Sequence, residues 1–137
     1  MMRSIDERGQ SALEFAILAP VVLAVVLLIV AGARLVGARG DLDATARESA
    51  RAAVEAPPAS AGDVARQVGH ATALGYGMDP SRLELVADPS LTRGGTYVVV
   101  ARYRVSLAPM PGSVTLEARR TEPVDPFRSF GGVQSTP

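Results

Sequence analysis

The chain has 137 residues, with 14 arginines, no lysine and 14 acidic residues, so no net field draws it toward nucleic acid or an acidic substrate. It has no cysteine and one histidine, His70. That excludes disulfides, a thiolate nucleophile, a cysteine zinc site and a two-histidine metal site, and leaves little for acid–base work near neutral pH. The composition therefore argues against an enzyme, and neither a cofactor nor a metal is expected. The length allows one domain, or a small domain plus an anchor.

Residues 10–56 read as one long helix, about 70 Å if unbroken. Within it, Phe15 to Ala33 form 19 residues without a charge, which is about 28 Å of helix and close to the thickness of a bilayer core. Twelve of the 19 are Leu, Ile, Val or Phe. At about −0.4 kcal/mol each they favour insertion by about 5 kcal/mol, before Pro20 and Gly32 are discounted. A buried helix in a soluble protein is disfavoured, because the remaining chain is too short to wrap a helix that is apolar on every side. A membrane anchor and a cleaved secretory signal both stay open. Ala31-Gly32-Ala33 fits a small-x-small cleavage site. Against cleavage there, the run exceeds the usual h-region of about 7–15 residues. Asp6 and Glu7 also cancel Arg3 and Arg8, and the helical pattern continues past the site. Counted simply, Arg34, Arg39, Arg47 and Arg51 outnumber Arg3 and Arg8, which by the positive-inside rule puts the C-terminal side in the cytoplasm. Arg47 and Arg51 stand four residues from Asp43 and Glu55, so much of that charge is expected to be paired.

Just before the apolar run the sequence reads Arg8-Gly9-Gln10-Ser11-Ala12-Leu13-Glu14-Phe15-Ala16. Gly9 offers a protease cleft a backbone with no side chain. A cut after Gly9 would make Gln10 the first residue, with Glu14 four positions on and on the same helical face. A carboxylate there is favoured by the helix dipole and by a free ammonium, and in lipid two charges are tolerable as a pair where each alone is costly. The bland alternative is a Glu14 that snorkels at the interface beside a Gly9 that punctuates a loop.

The Gly-x4-Glu signature at the start of a long apolar helix resembles the type IV prepilin signal. More narrowly, RGQSALEFAILAP, together with Ala44-Thr45-Ala46-Arg47-Glu48-Ser49-Ala50-Arg51 and Arg119-Arg120-Thr121-Glu122-Pro123, is similar to the TadE/TadF family of pseudopilins from the Flp (tight adherence) pilus system. The likeness is strong over residues 8–55 and weak over 56–137. It implies a cytoplasmic leader over 1–9, cut by a prepilin peptidase between Gly9 and Gln10. It implies a single transmembrane helix over 10–36 in the cytoplasmic membrane, an extracytoplasmic domain over 37–120, and a role for Glu14 and Phe15 in N-terminal pairing and assembly. The implied partners are the peptidase, the Tad membrane platform proteins, a secretion ATPase acting at a distance and other pilin subunits in a pilus. Nucleic acid and small-molecule substrates are not among them. The function implied is a minor pilin or pseudopilin, a structural and assembly component without catalysis. The alternative is a signal-anchored or secreted small extracytoplasmic binding protein unrelated to pili.

Beyond the membrane run, Leu35, Ala38, Leu42, Ala46, Ala50 and Ala53 form a narrow stripe suited to close packing. Gly37 and Gly40 are possible bends, and Pro57-Pro58 ends the helix. Nine of the ten prolines lie at or beyond position 57, which marks a change in composition. Gly62 to Leu74 predicts a second short helix, with Val64, Val68 and Ala71 on one face, His70 within it, and Gly75 and Gly77 after its end. Three strands follow. Leu83 and Leu85 alternate with polar residues, Tyr97 to Leu107 give the longest period-two run, and Val114, Leu116 and Ala118 alternate again. Turn residues at Arg93-Gly94-Gly95 and at Ala108-Pro109-Met110-Pro111-Gly112 separate them. An antiparallel meander with the 96–107 strand at its centre follows, covered on its apolar face by the helices. Arg102 and Arg104 are placed on the wet face, opposite Glu84 and Glu117. The fold class is α+β: a long N-terminal transmembrane helix that continues into a small domain with a second short helix and a three-stranded antiparallel sheet. The tail over 121–137 has no periodicity and is expected to be disordered, with Phe127 and Phe130 as possible docking residues.

Overall fold

The computed structural model describes residues 6–108 and 110–127, with side chains from Glu14 onward. Helix α1 runs over Asp6–Glu55, α2 over Ala61–Gly75, and the strands are β1 (Leu83–Ala87), β2 (Thr96–Ser106) and β3 (Ser113–Pro123). Two short 3-10 turns, Pro58–Ser60 and Pro80–Arg82, make the connections. The sheet order is β1-β2-β3, both pairings are antiparallel, and β2 is central. The α+β class and the meander expected from period-two patterning are what the chain adopts.

The 50 residues of α1 make a rod of about 75 Å that passes through Pro20. Its first part is bare. Phe15, Ile17, Leu18, Val22, Leu28 and Ile29 are each more than half exposed, on all sides of the helix. Its second part is scaffold. Leu42, Ala46, Ala50 and Ala53 are buried as the stripe predicts, while Leu35 and Ala38 are half-buried. Thr45 and Ser49 are buried beside them. Each hydroxyl donates to the carbonyl one turn back, Thr45 Oγ1 to Asp41 O and Ser49 Oγ to Thr45 O, both at 2.8 Å. That leaves neither hydroxyl stranded in the core.

Helix α2 returns antiparallel to α1, so Ala61 and Ala65 share one core cluster with Ala50 and Ala53, and Ala73 shares the next with Leu42 and Ala46. Its buried residues are Ala61, Gly62, Ala65, Gly69 and Ala73. This corrects the expected face of Val64, Val68 and Ala71: the two valines are half-buried and Ala71 is exposed. Close approach of the two helices is the reason. A Cβ at Gly69 would come within 3.0 Å of both Ser49 Oγ and Leu85 Cδ1, so the seam takes the smallest residues and the valines are set to its side. The helix ends in a Schellman motif, in which Gly77 adopts φ +72, its N–H donates to Leu74 O, and Met78 N–H donates to Ala73 O. Met78 then folds onto the same cluster as Ala73.

The helices cover one face of the sheet. Tyr97, Val99, Ala101 and Val105 of β2 are buried there and Tyr103 is half-buried. Polar ends are met locally. The Tyr97 hydroxyl donates to Asp88 O at 2.5 Å, and the Tyr103 hydroxyl accepts from the Asp79 N–H at 3.2 Å. Burial, with Asp88 nearby, raises the Tyr97 pKa above its usual value. Asp79 also caps the turn before β1. The Ser81 hydroxyl and then its N–H donate to the Asp79 carboxylate and lower its pKa.

Strand β3 runs further than its apolar alternation predicts. It pairs with β2 as far as Thr96↔Pro123, Val124 is buried, and Val124 N–H donates to Gly95 O at 2.9 Å. The part of the expected tail over 121–124 is therefore part of the folded domain. Phe127 is 92% exposed, and Phe130 lies outside the described residues.

Candidate assembly site on the long helix

Gly9, Gln10, Glu14 and Phe15 all fall within α1, which is already helical at Asp6, ahead of residue 10. Gly9 and Gln10 therefore have helical backbone. Glu14 and Phe15 are exposed, Phe15 at 74%. Glu14 makes no ion pair among the described residues. It stands at the entrance of the apolar run. The run itself has the length and apolarity to cross a membrane and is almost wholly uncovered by the rest of the chain. A Cβ at Gly32, Gly37 or Gly40 would meet nothing within 4 Å, so none of these glycines is required by packing within the chain.

Of the four arginines on α1 beyond the run, two are paired with acids. Arg47 meets Asp43 at 3.5 Å and Arg51 meets Glu55 at 3.4 Å, at the i, i+4 spacing read from the sequence. On the wet face Arg102 lies opposite both Glu84 and Glu117, and its guanidinium reaches Glu117 at 2.9 Å and Glu84 at 3.7 Å. These carboxylates hold its pKa further up. Arg104, opposite Thr115, makes no ion pair among the described residues. The sequence reading missed Arg120, which pairs with Asp43 and so ties β3 to α1. A signal for it existed. Arg120 continues the inward parity of Val114, Leu116 and Ala118, and an arginine on an inward position needs an acid within reach.

The grooves are open and shallow in chemistry. One, of about 230 Å³, is lined by Ser81, Arg82, Glu84, Arg102, Arg104 and Thr115. Another, of about 550 Å³, runs between α1 and β3 past Arg39, Asp43, Arg119 and Arg120. His70 is half-buried on α2. No cluster of His, Cys, Asp or Glu that could hold a metal occurs among the described residues.

An apolar helix of membrane length that runs unbroken into a small α+β head is the build of a pilin-like, membrane-anchored protein. Residues 9–51, the anchor and the first part of the scaffold, match the family model described as TadE-like protein. No curated protein and no solved structure matches the chain.

Proposed function

We propose that the chain is a TadE-like minor pilin or pseudopilin, a structural and assembly component of a Tad-type pilus or related secretion apparatus. The observation that carries this reading is the family match beginning at Gly9 and running through Glu14 into the bare helix. The leader over 1–9 stays in the cytoplasm, a prepilin peptidase cuts between Gly9 and Gln10, and the head is exported. The new ammonium of Gln10 meets the Glu14 carboxylate of a neighbouring subunit in lipid, where each charge alone is costly. Phe15 packs at the same level. The uncovered face of α1, with open space where a side chain at Gly32, Gly37 or Gly40 would sit among the described residues, supports association through the helix with platform proteins and other pilin subunits. The role proposed is structural, without catalysis.

The test is the first residue of the mature protein together with the size of a Gly9→Val variant. Gln10 as the first residue, and a Gly9→Val precursor heavier by about 1 kDa for the nine retained residues, are the expected results. Met1 or Met2 as the first residue would identify a signal-anchored binding protein instead. Arg34 would identify a secreted one.

A further inference from the structure

We propose that the tip of the β2–β3 hairpin, through Leu107, Ala108 and residues 110–112, is a second membrane contact, seated in the lipid headgroup layer beside the point where α1 leaves the bilayer. The inference rests on the anchor reading of α1 and adds a surface to it.

Strand β2 runs antiparallel to α1. Tyr97 and Val99 share a core cluster with Ala50 and Ala53, and Ala101 shares the next with Leu42 and Ala46. Continued in the same direction, the chain reaches the helix again at Arg34, whose Nη1 donates to Ala108 O at 3.0 Å. Arg34 is the first charged residue after the apolar run. A hairpin tip held at that height therefore lies where water gives way to lipid. Ala31, on the Arg34 side of the helix and one turn further in, is only 7% exposed, while Leu28 and Ile29 beside it are bare.

The tip has the chemistry for that position. From Val105 to Leu116 there are twelve residues without a charge, and the turn itself reads Leu-Ala-Pro-Met-Pro-Gly. Backbone entering a low-dielectric layer must have its polar groups paired. Here Pro109 and Pro111 carry no N–H at all. Leu107 N–H donates to Gly112 O at 3.1 Å, Met110 N–H donates to Leu107 O at 2.9 Å, and Ala108 N–H points to Ser106 Oγ at 3.4 Å. The Ala108 carbonyl takes the Arg34 guanidinium. Gly112, at φ +118, lets the turn close in this way. The opposite end of the head carries Asp88, Arg93 and Asp125, which suits water.

The cysteine-free chain makes the test direct. Single cysteines are placed in the full-length protein at Met110, Ala108, Val36, Leu23 and Ser90, labelled with a fluorophore, and reconstituted in phosphatidylcholine–phosphatidylglycerol vesicles. The vesicles contain lipids with a nitroxide quencher near the headgroup or deep in the chain. Labels at Met110→Cys and Ala108→Cys should lose fluorescence to the shallow quencher as the Val36→Cys label does, and the Ser90→Cys label should not. Quenching of Leu23→Cys by the deep quencher reports the anchor independently. If Leu23→Cys is quenched but the 108 and 110 labels are not, the hairpin contact is wrong and the anchor stands. The same holds if those two labels are shielded from aqueous iodide as well as from lipid, since a protein partner then covers the tip. If Leu23→Cys is not quenched, the anchor reading fails and takes this inference with it.

Discussion

The two ends of α1 share one helical backbone and solve opposite packing problems. Between Phe15 and Val30 the large side chains point outward on every side, and almost nothing in the chain covers them. Between Leu42 and Ala56 the buried residues are Leu, Ala, Thr and Ser, and a second helix and a sheet cover them. Lipid rewards apolar bulk without requiring shape. A protein seam requires close approach, and alanine, serine and glycine allow it. The head is therefore built from small residues along a rod, with Tyr97, Leu42 and Val99 as the largest side chains buried in full.

Substitutions that should behave differently at the two ends sharpen this contrast. The largest effect is expected from Val99→Asp, which places an unpaired carboxylate on the covered face of the central strand, where Val99 is 0% exposed. An unpaired buried charge costs several kcal/mol, comparable with the whole stability of a small domain. Limited proteolysis should then cut the head of this variant readily and spare that of the parent. Equal resistance would mean that the inner face is misassigned.

Next comes a pair of identical truncations. Leu42→Ala, at a position with no exposure, should destabilise the head by about 2–5 kcal/mol. Leu28→Ala, at 66% exposure in the bare part, should shift it by less than about 0.5 kcal/mol. Thermal unfolding of the head in detergent compares the two, and equal shifts would show that the halves of α1 are not energetically distinct.

A smaller effect is expected from Tyr97→Phe, which removes the hydroxyl bonded to Asp88 O and should cost about 1 kcal/mol. This variant also carries a pH signature. The folded pKa of Tyr97 is raised from 10.0, so the neutral ring stabilises the fold fully below the unfolded value. That contribution is lost as pH rises through the folded value. The parent should lose more stability above pH 10.0 than Tyr97→Phe does. Parallel alkaline unfolding curves for the two proteins would contradict the buried placement of this hydroxyl.

Much of the contrast is legible in the residues themselves. The charge-free run, the stripe from Leu35 to Ala53, the Pro57-Pro58 stop and the period-two strands each follow from local chemistry that repeats at helix or strand spacing. The pairing of Arg102 with two glutamates follows in the same way, from registers that adjacent strands impose.

Three features were decided only by tertiary structure. The buried residues of α2 are Ala61, Gly62, Ala65, Gly69 and Ala73, because the distance between two helices is not written in either helix alone. On hydrophobicity, Val64 and Val68 outrank glycine until Ser49 and Leu85 occupy the space. The end of β3 belongs to the head because β2 continues beside it and supplies hydrogen-bond partners that a tail with weak periodicity does not announce. Arg120 and Asp43 meet although 77 positions separate them, and Arg34 reaches Ala108 across 74. Composition and periodicity report only on neighbours along the chain. Contacts of that separation depend on β2 running back along α1 and β3 reversing beside it, which the packing of the whole head sets.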